Sequence, residues 1–163
     1  MAQFAAELVA GWLRNPQLIG QSREKVDCQC RIYNDVSTGS VEGIKQTLTA
    51  LFASISHANY TRNEISTYEG YYASVIYAFF SSLGFDLAAE DTTSKGRIDL
   101  TVRMGNAVYI IEFKVDGKGD ALQQIKQRNY QQKYLGQGKD IYLIGIDFDS
   151  AERNISCFGW ERA

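Results

Sequence analysis

A two-residue break, Gly105-Asn106, separates two apolar runs and most constrains what this chain can fold into. Arg97–Met104 and Ala107–Val115 both carry the β-branched and aromatic residues of strands. A Gly-Asn pair between such runs supports a tight primed hairpin turn. With those two residues as the loop, Met104 faces Ala107, and counting outward sets Asp99 directly opposite Glu112. Opposed residues share a sheet face, with Cβ atoms roughly 4.5–5.5 Å apart. Lys114 stands two positions beyond Glu112, so alternation along the strand brings it to that face, while Phe113 joins Ile111 and Val115 on the other. Two carboxylates and an ammonium therefore meet on one patch of a largely apolar sheet.

Opposed like charges destabilise a sheet, and unpaired charges taken out of water cost far more. A divalent cation is the simplest remedy. Mg²⁺ takes hard oxygen ligands, usually one or two carboxylates with waters and substrate phosphate. Such a metal polarises a phosphoryl oxygen and lowers the pKa of a bound water, and a lysine beside it orients that water or stabilises developing charge. The plainer reading is that Lys114 pairs with one or both acids on a solvated face. The apolar residues on both faces of the two strands favour the chemical reading.

Around this hairpin the pattern is a mixed α/β one. Gln3–Leu13 reads as an amphipathic helix with Phe4, Leu8, Val9 and Trp12 on one stripe, stopped by Asn15-Pro16. It opens without a cap, as though cut from a longer protein. Ile19–Thr38 is polar and has no clear assignment. Ser40 is placed to cap a helix to about Ile55, with Ile44, Leu48, Leu51, Phe52 and Ile55 inward. A further helix is expected from about Asn63 to Leu83, ended by Gly84. Ile65, Tyr72, Ile76, Phe80 and Leu83 line one face, and Glu69 shares that stripe. A carboxylate there needs a partner: the metal site, or a nearby tyrosine or arginine. Strands follow at Phe85–Glu90, Arg97–Met104 and Ala107–Val115. Asp120 and Gln123 form a capping-box-like pair opening a helix to about Leu135. Asp140–Asp147 and Asn154–Trp160 read as two last strands. Residues 1–60 are read as a helical lead-in and 61–163 as the α/β domain.

Among the 163 residues the formal net charge is −2, which lacks the strongly basic signature of a dedicated nucleic-acid binder. The distribution is more telling. Between Lys114 and Lys139 stand Lys114, Lys118, Lys126, Arg128, Lys133 and Lys139 against only Asp116 and Asp120, and Lys95 and Arg97 precede the Asp99 strand. These groups are placed either to contact a phosphate backbone or to solvate a helix face. Cys28, Cys30 and Cys157 are odd in number and lack the spacing of a zinc site, which points to reduced thiols and a cytoplasmic setting. His57 is the only histidine, which excludes most zinc and serine-triad schemes. No apolar run reaches spanning length, no signal-peptide pattern opens the chain, and no membrane partner is expected.

Asp99 and Glu112-Phe113-Lys114 together resemble the core of the PD-(D/E)XK nuclease superfamily. The stretch from about Tyr68 to Trp160 is similar to a bacterial family within it that lies C-terminal to an AAA-type ATPase-like domain. The matching phrases are Tyr68-Glu69-Gly70-Tyr71-Tyr72, Thr93-Ser94-Lys95-Gly96-Arg97-Ile98-Asp99-Leu100, Ile110-Ile111-Glu112-Phe113-Lys114-Val115, Ala121-Leu122-Gln123-Gln124-Ile125 and Ile144-Gly145-Ile146-Asp147-Phe148. Ile98 stands where the superfamily name has proline. The resemblance implies a restriction-endonuclease-like α/β core in αβββαβ order, a mixed sheet flanked by helices, behind the helical lead-in. It implies Asp99 and Glu112 as ligands of Mg²⁺ or Mn²⁺, with the Phe113 carbonyl as a third oxygen, and Lys114 as the catalytic lysine. Glu69 matches an acidic residue of the first core helix, and Gln124 a polar residue approaching from the helix after the sheet. Tyr130 belongs to the same substrate-facing surface, with Lys95, Arg97, Lys118 and Arg128 as nucleic-acid contacts.

Two functions follow. One is a metal-dependent phosphodiester hydrolase acting on DNA or RNA, part of a larger ATPase-linked protein. The other is a non-catalytic module that keeps the fold and binds a partner or regulates the adjoining ATPase.

Overall fold

A computed structural model of the chain describes residues 22–55 and 67–163, with the side chains of its first helix described from Gln29. The expected helix at Gln3–Leu13, the Asn15-Pro16 stop, Cys28, His57 and Ile65 lie outside that description. Among the described residues three helices precede the sheet: α1 (Ser22–Thr38), α2 (Val41–Ala53) and α3 (Glu69–Ser82). Strands β1 (Asp86–Thr93), β2 (Gly96–Met104) and β3 (Ala107–Val115) follow. Next come α4 (Ala121–Arg128), a 3₁₀ turn at Tyr130–Lys133, and strands β4 (Asp140–Asp149) and β5 (Asn154–Arg162). No helix among the described residues is long and apolar enough to cross a membrane.

The five strands form one sheet in the order β1-β2-β3-β4-β5. Only β3 and β4 run parallel, because α4 carries the chain across between them. β3 is buried along nearly its whole length, as expected of a central strand covered on both faces. On one face Ile32, Val36, Ile44, Leu48, Phe52, Tyr72, Ile76 and Phe80 pack against Leu100, Val102, Tyr109, Ile111, Phe113, Ile144 and Phe148. Tyr72 stacks on Phe148 with ring centroids 4.1 Å apart, and the Tyr109 hydroxyl donates to the Val36 carbonyl at 2.5 Å. On the other face Ile125, Tyr130 and Tyr134 cover Ile98, Val108, Ile110, Ile141 and Leu143.

The mixed sheet flanked by helices is the one the pattern predicts, and several boundaries shift. Within the unassigned stretch Ile19–Thr38, the described residues from Ser22 are helical, held by a narrow buried edge that includes Ile32 and Val36. Ser40 occupies the N-cap position of α2 without a side-chain cap bond. Tyr68 is extended, so α3 begins at Glu69 rather than near Asn63, and Glu69 stands in its first turn. β1 continues past Glu90 to Thr93, turning into β2 through Ser94 and Lys95. The helix expected to run to Leu135 ends at Arg128, because Asn129 takes a left-handed conformation (φ 54°) and leads into the 3₁₀ turn. Asp120 caps α4 by accepting the Gln123 amide at 2.9 Å.

Candidate metal centre

The β2–β3 ladder runs from Met104 opposite Ala107 to Leu100 opposite Ile111. Gly105 turns at φ +55°, as a primed turn with glycine first requires. One step further, at Asp99 and Glu112, side chains replace the backbone pairing. The Asp99 amide donates to Glu112 Oε1 at 3.3 Å, and the Phe113 amide donates to Asp99 Oδ2 at 3.0 Å. The β1 side of the strand is interrupted at the same point. Pairing passes from Ala89–Leu100 to Asp91–Ile98, and the intervening Glu90 has φ +52°. Ile98 accordingly leaves the alternation of Leu100 and Val102 and packs beneath α4 instead. Asp99 is thus carried on a stretch freed from both neighbours.

Glu112 has no exposed surface. Its Oε2 accepts Gln124 Nε2 from α4 at 2.6 Å. Burial, reinforced by the Asp99 charge, pushes its carboxyl up to about 8, with Lys114 pulling the other way. Lys114 donates to the Phe113 carbonyl at 2.8 Å and meets Glu69 Oε2 at 3.4 Å. The first turn of α3 therefore reaches the centre through the lysine. Tyr130 is buried with its hydroxyl close to Gln124; burial and the Glu112 charge raise that hydroxyl above the ordinary tyrosine range.

Asp99, Glu112, Lys114, Glu69, Gln124 and Tyr130 are thus brought together. The cations spread around them. Lys95 sits at the β1–β2 turn, where its carbonyl accepts Arg128 Nη1 at 3.4 Å. Arg97 is exposed and pairs with Glu90 at 3.3 Å. Lys118 lies on the loop after β3, next to Gly119, against which the Lys114 stem packs. The sequence pattern does not single out Asp147, although it lies in a matching phrase. It stands opposite Lys114 on the parallel strand β4, half-buried, with burial raising its carboxyl while the Ala121 amide holds it down. Only the β3–β4 register reveals that proximity.

The donor chemistry fits a small hard cation. Buried Glu112 and half-buried Asp99 offer carboxylate oxygens side by side, and a cation would relieve their mutual repulsion. Among the described residues no group of three or more His, Cys, Asp or Glu converges. A small hard cation held by these two acids would take carbonyl oxygen and water for its other ligands, as Mg²⁺ commonly does. The Phe113 carbonyl is occupied by the Lys114 ammonium, so recruiting that oxygen requires the lysine to swing aside.

A family model described as PD-(D/E)XK nuclease superfamily matches residues 67–158. The chain is also 44% identical over 131 residues to a protein of Azotobacter chroococcum mcd 1 described as an uncharacterized protein in the vnfD 5′ region. That match covers 78% of this chain and 25% of the relative, so the chain spans about a quarter of the relative's length.

Proposed function

Since the chain belongs to the PD-(D/E)XK nuclease superfamily, matched over residues 67–158, we propose that it is a metal-dependent phosphodiester hydrolase acting on DNA or RNA. One observation carries the reading: the fully buried Glu112 carboxyl lies beside Asp99, with the Lys114 ammonium on the adjoining carbonyl. Such a pairing costs stability, and strongly perturbed acids of this kind concentrate at functional sites.

Asp99 and Glu112 would hold Mg²⁺ or Mn²⁺, which when bound polarises the phosphoryl group and acidifies a water. Gln124 fixes the orientation of Glu112 by its hydrogen bond to Oε2. Glu69 and the Phe113 carbonyl steady Lys114. From there its ammonium orients the attacking water and stabilises charge building on the phosphate. Lys95, Lys118 and Arg128 contact the flanking backbone, and Arg97 exchanges its exposed Glu90 partner for a phosphate at little cost. Tyr130 supports the same surface through Gln124. The resemblance to a family lying C-terminal to AAA-type ATPase-like domains supports a larger, ATPase-linked protein in the cytoplasm.

The test is cleavage of labelled single-stranded DNA, duplex DNA and RNA with Mg²⁺, Mn²⁺ or chelator, by the wild-type chain and by Asp99→Ala and Lys114→Ala. Metal-dependent cutting lost in both variants is expected. Cutting that survives both belongs to a contaminant and ends the proposal. No cutting and no Mn²⁺ binding by calorimetry would favour the non-catalytic module.

A further inference from the structure

We propose that the cleft between the β1–β2 turn and the 3₁₀ turn receives one unstacked nucleotide of a single-stranded segment, on the Tyr130 side of the cation site formed by Asp99 and Glu112. This inference rests on the nuclease reading and names the form of its substrate. Thr92–Lys95 form one wall, and residues of Asn129–Lys133 form the other, around a volume of about 380 Å³. That is near the low end of the roughly 300–1,000 Å³ usual for small-molecule sites. It has room for one nucleotide unit and is too small for a base pair within a duplex.

The walls are clamped from beneath. Asp91, nearly buried, accepts hydrogen bonds from Lys133, Tyr134 and Thr101, and the Lys133 ammonium also donates to the Thr92 carbonyl at 2.9 Å. Burial alone would raise the Asp91 carboxyl, but the bonds from Lys133, Tyr134 and Thr101 hold it below the ordinary range. The clamp is therefore charged at neutral pH. It ties the hairpin bearing Asp99 to the 3₁₀ turn, so the cleft is formed before any ligand arrives.

Its lining suits a nucleotide. Hydroxyls and amides predominate, with no carboxylate among the lining residues. Lys133 is neutralised by Asp91, whereas Lys95 and the adjacent Arg128 have no carboxylate partner among the described residues. Cations at the rim with Gln132 and hydroxyls inside provide a place for a phosphate and donors and acceptors for a base or sugar. Tyr130 joins this cleft to the metal centre. Its hydroxyl lies where a Cβ on Gly96 would come within 2.9 Å, and it stands close to Gln124, which in turn holds Glu112. A strand bound across Asp99 and Glu112 would reach the cleft past Gln124 and Tyr130.

The experiment measures anisotropy of a short labelled single strand and of the matching duplex. It is run in Ca²⁺ to limit cleavage, with wild-type chain, Gln132→Ala and Lys95→Ala. The single strand is expected to bind more tightly than the duplex. Gln132→Ala, which changes no charge, should weaken single-strand binding about ten-fold, equivalent to about 1.4 kcal/mol, and leave duplex binding and the melting temperature alone. Lys95→Ala should weaken the single strand more than the duplex. Equal losses on both substrates, or none with Gln132→Ala, overturn the inference. If wild type then still cuts nucleic acid with Mn²⁺, the cleft assignment fails while the nuclease reading stands. If wild type neither binds nor cuts any nucleic acid, both fall.

Discussion

Asp99 and Glu112 each satisfy a backbone amide on the other's strand: Glu112 Oε1 accepts the Asp99 amide, and Asp99 Oδ2 accepts the Phe113 amide. Two acids thereby do what strand carbonyls do elsewhere in the ladder. With the Gln124 bond to Glu112 Oε2, the exchange fixes both carboxyl groups at the point where the β2–β3 backbone pairing ends. It also means that removing either acid leaves an amide unpaired, at about 1–3 kcal/mol where that amide is buried.

Glu112 makes stability depend on pH. Its carboxyl is ordinary when unfolded and raised to about 8 when folded, so the folded state holds the proton more firmly. The stability this contributes is fully present below the unfolded value and is lost as pH rises through about 8. Without divalent metal, melting temperature should therefore fall between about pH 5 and pH 8, and Glu112→Gln should flatten that fall. Melting curves across the range check this; an unchanged slope in the variant contradicts it.

A divalent ion should reverse the trend, because it favours the ionised acids. Mn²⁺ at about 100 times its dissociation constant should add about 2.7 kcal/mol of stability, more at pH 8 than at pH 6. Asp99→Ala should abolish the increment. Thermal shift with and without chelator measures it, and an equal shift in Asp99→Ala would place the ion elsewhere.

The hairpin was legible because Gly105-Asn106 and the two-residue alternation fix a register, and that register brings Asp99, Glu112 and Lys114 to one patch. Other features depend on contacts remote in sequence. Asp91-Thr92-Thr93 reads as loop, yet it pairs with Ile98, Arg97 and Gly96 because Thr101, Lys133 and Tyr134 satisfy Asp91. The helix at Ser22–Thr38 is too polar for periodicity to expose it. Asn129 breaks a pattern that continues unbroken in sequence. Asp147 reaches the Lys114 neighbourhood only through a parallel pairing set by the crossover.

Glu69 should separate catalysis from stability. Its side chain is 39% exposed and meets Lys114 at 3.4 Å, so the pair contributes little to folding, about 0–1 kcal/mol for such pairs. Glu69→Gln should lower kcat by about ten-fold, at the weak end of what misplacing a catalytic group costs, with KM and melting temperature nearly unchanged. Steady-state kinetics beside a melting curve test this. A loss confined to KM would instead make Glu69 part of substrate binding.

Gly145 couples the sheet to the centre from below. It faces Glu112 across the β3–β4 ladder, and a Cβ there would stand 2.7 Å from Leu122 Cα in the first turn of α4. Backbone cannot yield as a side chain does, so Gly145→Ala must push α4 away and draw Gln124 from Glu112 Oε2. Overpacking of this kind costs about 1–3 kcal/mol, and activity should fall with it. Gly159, the β5 partner of Gly145, provides the contrast. A Cβ there meets Leu122 Cδ2 at 3.2 Å, the end of a side chain that can turn. Gly159→Ala should leave both stability and cleavage close to wild type. Denaturant melts and cleavage rates of the two variants decide the matter: if Gly145→Ala is as benign as Gly159→Ala, close packing of α4 on the sheet does not hold Gln124 at Glu112.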